Sequence, residues 1–210
     1  MKSSQIQEQL IVFTRYPEPG RTKTRLAPSL GDKGAAGIQK ELSENTLSRV
    51  RQLQKIHPVD VRIYFAGGDL ERMREWLGSD LQYRHQKNGD LGERLISACA
   101  DAFGQAYRRV VVIGSDCPGI THHHLDLAFT ALLHKDLVLG PATDGGYYLI
   151  GLSREARSLF TRIPWGTDAV LAETIQAGEK LGLSIKILEE LSDVDRPEDL
   201  RHINHNSDPE

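Results

Sequence analysis

The sequence predicts an α/β fold built on a mainly parallel sheet that helices cover on both faces. Short apolar runs rich in β-branched residues alternate with longer amphipathic segments, and this alternation is typical of βαβ units. Residues 110–113 are four apolar residues in succession, which indicates a central strand buried on both faces. No repeat, low-complexity run or linker divides the chain, so residues 10–203 are expected to form one domain.

Strands and helices are expected to follow one another along the chain. Runs of alternating or continuous apolar residues predict strands, and apolar residues at three- and four-residue spacing predict helices. The predicted strands are residues 10–14, 59–65, 81–86, 110–113, 136–141, 147–152 and 184–188. The predicted helices are residues 32–55, 69–77, 91–103, 121–134, 153–160, 167–181 and 195–202. The polar residues 1–9 and residues 204–210 are expected to be flexible ends.

Local signals mark where several of these elements begin and end. His-Pro at 57–58 ends the first long helix, and Gly-Gly at 67–68 closes the strand that follows. Asn-Gly-Asp at 88–90 is a turn that leads into the next helix. Thr121 can cap the helix after the central strand, and Asp195 can cap the last one.

Composition and charge exclude several classes of protein. A net charge of −3 provides no basic field for a nucleic acid or an anionic membrane. Two cysteines do not make a disulfide framework and favour a reducing compartment. The sequence shows neither a signal peptide nor an apolar run of 18 residues, so a soluble cytoplasmic protein is expected, although loose contact with a membrane surface stays open.

Asp116 is the first candidate functional residue. It follows the central strand after Gly114 and Ser115, and Pro118 prevents the strand from continuing. Ligands of open α/β sheets bind at this edge, and a carboxylate there can hold Mg²⁺ together with phosphate oxygens. The structural alternative is that Asp116 only caps a turn. Cys117 is expected to be a buried thiol rather than a nucleophile, because no sequence signal provides a base.

A cation-rich loop follows the first strand. Two prolines and Gly20 shape it, and its cations within 11 residues are Arg15, Arg21, Lys23 and Arg25. Several cations on a stiff loop at a sheet edge suit a diphosphate or a triphosphate. The loop is neither a P-loop nor a dinucleotide fingerprint, since the required glycines are absent. A solvated basic loop is the alternative.

Four further segments allow both a structural and a functional interpretation. Residues 89–95 are either a capped helix start or backbone that contacts a ribose or a base. Residues 144–146, Asp-Gly-Gly, are either a hairpin turn or a point where a bulky ligand approaches the backbone. Asp195 is either a helix cap or a second metal ligand, and the spacing favours the cap. Trp165 is either core or a stacking wall.

Taken together, five ordered blocks resemble a known family. The blocks are residues 15–26 (RYPEPGRTKTRL), 89–95 (GDLGERL), 113–118 (IGSDCP), 140–152 (GPATDGGYYLIGL) and 163–167 (IPWGT). They resemble the small bacterial glycosyltransferase-like family long described as a domain of unknown function, some members of which are labelled arsenosugar-biosynthesis glycosyltransferases. That family belongs with the nucleotide-diphospho-sugar transferases, and the sequence is also similar to phospholactate and molybdenum-cofactor guanylyltransferases.

The resemblance spans residues 10–203 and implies a fold and a metal site. The fold would be a single-domain GT-A type, Rossmann-like and three-layered α/β/α, with a mainly parallel mixed sheet. Asp116 would bind the metal, Mg²⁺ or Mn²⁺, and Asp195 could be a second ligand. The Asp-x-Asp tripeptide of many GT-A enzymes is absent, because Ser115 and Cys117 flank a single acid, so the number of protein ligands stays open. Gly166 stands where the family pattern has Ser.

The sequence therefore predicts a metal-dependent transferase that uses a nucleotide-activated donor. Its substrates would be a nucleotide sugar or a nucleoside triphosphate and a small-molecule acceptor, with a glycosyltransferase favoured over a nucleotidyltransferase and over a non-catalytic nucleotide-binding domain. The expected catalytic residues are Asp116, Lys23, Arg25 and Asp144. The expected nucleotide- and phosphate-binding residues are Arg15, Gly20, Lys23, Arg25, Gly89, Leu91, Gly92, Arg94 and Ser115. The expected sugar or acceptor residues are Asp144, Gly145, Gly146 and Trp165, and the expected metal ligands are Asp116 and Asp195.

Overall fold

Strands and helices alternate along the chain in the computed structural model, which describes residues 7–203. The strands are β1 (Glu8–Arg15), β2 (Asp60–Ala66), β3 (Gln82–His85), β4 (Arg109–Ile113), β5 (Leu137–Pro141), β6 (Tyr147–Leu152) and β7 (Ile185–Ile187). The helices are α1 (Ala27–Ile56), α2 (Leu70–Leu77), α3 (Leu91–Gly104), α4 (His122–Ala131) and α5 (Val170–Lys180). Short 3₁₀ turns cover Arg157–Phe160 and Pro197–His202.

The seven strands form one sheet in the order β3-β2-β1-β4-β6-β5-β7. Every neighbouring pair is parallel except β4 with β6 and β5 with β6, so the prediction of a mainly parallel mixed sheet is confirmed. β4 is the middle strand, as its apolar run predicts. The carboxyl ends of β1, β2, β4 and β5 meet at one edge, and β6 begins there because it runs the opposite way.

Helices pack on both faces of this sheet. In β4, Val111 contributes to the core beneath α1, α2 and α4, whereas Val110 and Val112 contribute to the core beneath α3 and α5. Full burial of one such side chain stabilises the fold by about 1.5–3 kcal/mol. This arrangement confirms the expected three layers. Within residues 7–203, no helix combines the length and the apolar character that crossing a membrane requires.

Several element boundaries differ from the predicted ones. α1 consists of a short first segment and a long second one that meet at Gly31, whose backbone (φ 68°, ψ 167°) is not helical. The long segment begins at Asp32, as predicted. Segment 153–160 is not a helix, since it buries only Leu159 and Phe160 and forms a single 3₁₀ turn. The predicted flexible ends, 1–6 and 204–210, lie outside the described residues, but Glu8 and Gln9 belong to β1 and were wrongly expected to be flexible.

The cap of the C-terminal 3₁₀ turn, Pro197–His202, differs from the predicted one. The carboxylate of Asp199 accepts hydrogen bonds from the backbone N–H groups of Asp195 (3.1 Å) and Arg196 (2.7 Å). The cap position is therefore Arg196, and the prediction that Asp195 caps a helix is wrong. The side chain of Asp195 is consequently available for other contacts.

Candidate functional site

A cavity of about 650 Å³ opens at the sheet edge where β1 and β4 end. Its volume lies within the range of small-molecule sites, and its place is the one where open α/β sheets bind ligands. Segments that are distant in sequence converge on it. The predicted site residues among its lining are Arg15, Lys23, Arg25, Leu91, Arg94, Asp116, Asp144, Gly146, Trp165 and Asp195.

Asp116 and Lys23 form an ion pair within this cavity. The ammonium Nζ of Lys23 lies 2.5 Å from Oδ1 of Asp116 and donates a second hydrogen bond, 2.7 Å long, to the carbonyl oxygen of Val194. The Lys23 side chain is 6% exposed, whereas that of Asp116 is 50% exposed. The carbonyl of Asp116 in turn accepts a hydrogen bond from the N–H of Val194 (2.9 Å). One lysine thus connects the cation-rich loop, the end of β4 and the C-terminal segment.

The backbone at Lys23 shows how this contact is made. Its φ of +46° lies in the left-handed region, which a residue with a Cβ adopts at a cost of about 1 kcal/mol. The conformation aims the side chain inward, where Val194 is fully buried against Leu26 and Leu42. The two hydrogen bonds of the ammonium offset the strain. Lys23 is therefore held inside the cavity wall rather than in solvent.

Arg25 and Asp195 form a second ion pair across the same cavity, from Nη1 to Oδ2. Both side chains are more exposed than Lys23, so the pair contributes little to stability on its own. It places the guanidinium and the carboxylate at the cavity mouth. Arg21, which also lines the cavity, pairs with Glu18 (3.6 Å).

Asp144 lies in the loop between the antiparallel strands β5 and β6, which confirms the hairpin interpretation of residues 144–146. Its Oδ1 accepts a hydrogen bond from the N–H of Gly146 (2.8 Å), so the carboxylate shapes the turn and still faces the cavity. Gly145 has a φ of +87°, and a Cβ there would come within 2.2 Å of the carbonyl oxygen of Asp168. Gly145 is thus required for close packing of the loop on the start of α5.

Asp193 is a cavity residue that was not predicted individually. Burial first, and the nearby carboxylate of Asp144 second, raise the pKa of Asp193 to about 6. The signal that could have found it is its position in the same block as Asp195. Cys117 also lines the cavity, but burial raises the pKa of its thiol to about 12, which agrees with a buried neutral thiol.

The carboxylates of the cavity offer hard oxygen ligands for a divalent cation. Asp116, Asp144, Asp193 and Asp195 all line it. Among residues 7–203, however, no group of three or more His, Cys, Asp or Glu is arranged to hold a metal ion. The donor chemistry fits Mg²⁺ or Mn²⁺, although Lys23 and Arg25 each hold one carboxylate oxygen, of Asp116 and of Asp195 respectively.

The other end of the cavity lies at the start of α3. Asp90 caps this helix by accepting a hydrogen bond from the N–H of Glu93 (2.8 Å), and Glu93 accepts one from the N–H of Asp90 (3.1 Å). The capped helix start is therefore present, as one of the two interpretations predicts. A Cβ on Gly92 would lie 2.6 Å from Nε1 of Trp165, so this helix packs directly against the cavity wall.

Five predicted residues are not among those that line the cavity: Gly20, Gly89, Gly92, Gly145 and Ser115. Ser115 is buried, and its hydroxyl hydrogen-bonds with those of Thr14 (3.1 Å) and Ser43 (3.3 Å) and with the amide of Gln39 (3.3 Å). This network supports the floor of the cavity. Direct contacts between these five residues and a ligand stay predictions.

Thr22 and Gln86 line the cavity and were not predicted. The hydroxyl of Thr22 is buried and has no hydrogen-bond partner within the part of the chain that the structure describes. The amide of Gln86 donates to the carbonyl oxygens of Thr14 (3.2 Å) and Tyr64 (3.0 Å). No sequence motif marks Gln86, because its role depends on the ends of β1 and β2 lying side by side.

Comparison with known proteins identifies relatives over most of the chain. Residues 49–167 match the family described as "Uncharacterized protein conserved in bacteria (DUF2064)". The crystal structure of a "putative nucleotide-diphospho-sugar transferase" from Desulfovibrio desulfuricans G20 is 34% identical, with a TM-score of 0.88 over 97% of this chain and 90% of that one. No curated protein matches the chain.

More distant structures share the fold alone. The manganese complex of Rv0371c from Mycobacterium tuberculosis H37Rv is 17% identical, with a TM-score of 0.60 over 95% of this chain and 99% of that one. The 4-diphosphocytidyl-2C-methyl-D-erythritol synthase of Anaerococcus prevotii is 10% identical, with a TM-score of 0.63 over 95% and 97% of the two chains. The predicted resemblance, fold and transferase class are confirmed. The chain belongs to the DUF2064 family and has the fold of the nucleotide-diphospho-sugar transferases.

Proposed function

We propose that the protein transfers a sugar from a nucleotide-activated donor to a small-molecule acceptor, with the help of a divalent cation. The observation that carries the proposal is the ion pair between Lys23 and Asp116. This pair joins the cation-rich loop, which suits a diphosphate, to a carboxylate at the end of the central strand. Transfer from a diphosphate donor needs positive charge beside the leaving phosphates. The cavity brings together the groups that can provide it.

The cations of the loop have distinct roles in this proposal. Arg15 and Arg25 lie at the cavity surface, where their guanidinium groups can donate to phosphate oxygens of the donor. Lys23 is too buried to reach far, so it neutralises Asp116 and fixes the C-terminal segment. Thr22 adds a buried hydroxyl that can donate to a phosphate oxygen.

Asp116 and Asp195 would hold the cation, Mg²⁺ or Mn²⁺. When bound, the ion would neutralise charge on the diphosphate and favour departure of the nucleotide. The manganese complex of the distant relative Rv0371c supports this choice of metal. Because Arg25 is exposed, we expect its guanidinium to shift from Asp195 toward phosphate oxygens when the metal and the donor bind. Lys23 would stay on Oδ1 of Asp116, and the other carboxylate oxygen of Asp116 would take the ion.

Asp144, Gly146 and Trp165 form the side of the cavity proposed for the sugar or the acceptor. Asp144 is the exposed carboxylate on this side, and the ring of Trp165 lies 6.4 Å from that of Tyr147, centroid to centroid. A carboxylate can accept hydrogen bonds from sugar hydroxyls, and an indole can pack against a sugar ring. Asp193, with its pKa raised to about 6, adds a second carboxyl near Asp144.

Nucleotidyl transfer is the alternative reaction on the same site. The diphosphocytidyl-methylerythritol synthase, whose name denotes a product carrying a cytidyl group, shares this fold and supports the alternative. A nucleotide-binding domain without turnover is the alternative of another class. We also propose a cytoplasmic location, which the two free buried thiols, Cys99 and Cys117, support.

Identification of the phosphate product separates these possibilities. The protein is incubated with Mn²⁺, a panel of nucleotide sugars and nucleoside triphosphates, and candidate small-molecule acceptors, and the products are resolved by chromatography. Nucleoside diphosphate, or monophosphate from a monophosphate donor, released from a nucleotide sugar would support sugar transfer. Acceptor-dependent pyrophosphate released from a triphosphate would overturn it in favour of nucleotidyl transfer.

A further inference from the structure

We propose that Arg94 is a base-selecting residue, and that it favours a nucleobase whose edge presents two adjacent hydrogen-bond acceptors. The inference rests on the proposed function, since it concerns the nucleoside part of the same donor. It assigns the cavity end at the start of α3 to the base. The chemistry of the guanidinium then limits which bases fit.

Two hydrogen bonds fix the guanidinium of Arg94. Its Nε donates to the carbonyl oxygen of Gly89 (3.0 Å), and its Nη1 donates to Oε1 of Gln86 (3.2 Å). Gln86 is itself held by the carbonyl oxygens of Thr14 and Tyr64, in the neighbouring strands β1 and β2. The sheet therefore orients the arginine before any ligand binds, which lowers the entropy lost on binding.

Arg94 retains donors that the protein does not use. A guanidinium has five N–H groups, and the two hydrogen bonds leave both of those on Nη2 and one on Nη1. Across residues 7–203, no carboxylate forms an ion pair with Arg94, whereas Lys23 and Arg25 each have one. Because Arg94 lines the cavity and is only partly buried, these unused donors can pair with an acceptor of the ligand.

The surroundings of Arg94 disfavour a phosphate as that acceptor. The reciprocal bonds of Asp90 and Glu93 occupy backbone N–H groups at the start of α3, which would otherwise attract an anion. Both carboxylates also lie within one helical turn of Arg94 and repel a phosphate. A neutral acceptor is compatible with this environment.

Apolar side chains beside Arg94 provide faces for a flat ring. Leu91 and Leu95 flank Arg94 on α3 and line the cavity, as do Phe13 in β1 and Ala66 in β2, and the side chain of Leu91 is 42% exposed. A nucleobase has two apolar faces and a polar edge. The apolar residues can cover its faces while Arg94 meets its edge.

A forked donor separates the four ribonucleotide bases into two that pair with it fully and two that do not. Guanine presents O6 and N7 as adjacent acceptors, and an arginine fork pairs with them in two parallel hydrogen bonds. Cytosine also has two adjacent acceptors, O2 and N3. Adenine places an amino donor beside N7, and uracil places an N–H donor between its two carbonyls, so both leave part of the fork unpaired. Arg94 therefore favours guanine or cytosine nucleotides.

Calorimetric titration of the full chain with GTP, CTP, ATP and UTP tests the inference, with Arg94→Lys as the main variant. Lysine keeps the charge but not the fork. We expect wild type to bind GTP or CTP about tenfold to a hundredfold more tightly than ATP and UTP. In Arg94→Lys the preference should fall to within about threefold, while pyrophosphate, which probes the phosphate end alone, should bind as it does to wild type.

Two analogues identify the base. If guanine is preferred, inosine triphosphate, which keeps O6 and N7, should bind wild type as tightly as GTP does. 7-Deazaguanosine triphosphate lacks N7, so it should bind wild type more weakly than GTP does. Arg94→Lys should bind 7-deazaguanosine triphosphate and GTP equally well. If cytosine is preferred, neither analogue should bind well. A base preference that survives in Arg94→Lys, or a loss of pyrophosphate affinity in that variant, would overturn the inference. Nucleotide binding without base preference would also overturn it and leave the proposed function standing, whereas wild type that binds no nucleotide would contradict both.

Discussion

The ammonium of Lys23 lies 2.5 Å from Oδ1 of Asp116, and the same nitrogen donates to the carbonyl oxygen of Val194. This arrangement couples three parts of the chain that carry the candidate site: the cation-rich loop, the end of the central strand and the segment that contains Asp193 and Asp195. Because one nearly buried charge connects them, the site is assembled before a ligand arrives.

The pairing of Lys23 with Asp116 should be measurable as a coupling energy. Lys23→Met removes a charge-assisted hydrogen bond and should lower the free energy of unfolding by about 2 kcal/mol. Asp116→Asn should cost less, because Asn still offers an acceptor to the ammonium. In the double variant the two losses should not add, with a coupling of at least about 0.5 kcal/mol in urea denaturation. Strict additivity would mean that the pair does not form in solution.

Arg25 should contribute to the binding of phosphate but not to that of a nucleoside. Arg25→Ala should weaken the binding of a nucleoside diphosphate by about 1.5–3 kcal/mol, the value of a charge-assisted hydrogen bond, and leave the affinity for the bare nucleoside unchanged. Arg154→Ala is the matched control, because it removes another exposed arginine just after β6, at the opposite edge of the sheet. Equal losses for both ligands would exclude Arg25 from the phosphate site.

Gly92 should be needed for the contact between α3 and Trp165. A Cβ on Gly92 would lie 2.6 Å from Nε1 of Trp165 and 2.7 Å from the carbonyl oxygen of Phe160. We expect Gly92→Ala to destabilise the fold by about 1–3 kcal/mol, as overpacking does, and to change the fluorescence of Trp165 in a Trp76→Phe background.

Gly104, at the end of the same helix, provides the matched control, since nothing lies within 4 Å of a Cβ there. Gly104→Ala should stabilise the protein by up to about 1 kcal/mol through helix propensity, with unchanged Trp165 fluorescence. If Gly92→Ala and Gly104→Ala have the same effect on stability and fluorescence, α3 does not approach Trp165 closely in solution.

Asp136 should make the stability depend on pH. Hydrogen bonds from the backbone N–H (3.0 Å) and hydroxyl (2.9 Å) of Ser184 come first among the causes that hold the pKa of Asp136 below its usual value. Since the folded-state pKa is below the unfolded one, the ionised group stabilises the fold above about pH 4, and this contribution disappears as the pH falls through the folded-state pKa.

The variant Asp136→Asn tests this directly. It should lower the free energy of unfolding by about 1 kcal/mol at pH 7, after allowance for the partial exposure of the site, and the loss should shrink as the pH falls below about 4. Urea denaturation across this pH range measures the difference. An equal loss at both ends of the range would point to the shape of the side chain rather than its charge.

The sequence predicts the sheet well because each strand is specified locally. The four apolar residues 110–113 identify the middle strand of the structure, and Asp-Gly at 144–145 identifies the hairpin between β5 and β6. The failure at Asp195 has a local cause, because two carboxylates compete for the same cap. Asp195 fits a cap by spacing, but Asp199 holds the backbone N–H groups, so the carboxylate of Asp195 pairs with Arg25 instead.

The candidate site is predictable residue by residue but not as an assembly. Asp116, Arg25 and Arg94 are recognisable from their motifs. The contact between Lys23 and Val194 spans 171 positions, and no periodicity in the sequence indicates it. Gln86 was missed for the same reason, since its partners lie at the adjacent ends of two parallel strands.

Asp116 is proposed to bind the metal that supports nucleotide binding. Calorimetric titration of wild type and Asp116→Asn, with and without Mn²⁺, tests this role with whichever of GDP, CDP, ADP and UDP wild type binds most tightly. We predict that Mn²⁺ strengthens binding to wild type at least tenfold and has no such effect on Asp116→Asn, while the metal-free affinities of the two proteins agree. An equal gain from Mn²⁺ in the variant would mean that Asp116 does not bind the metal.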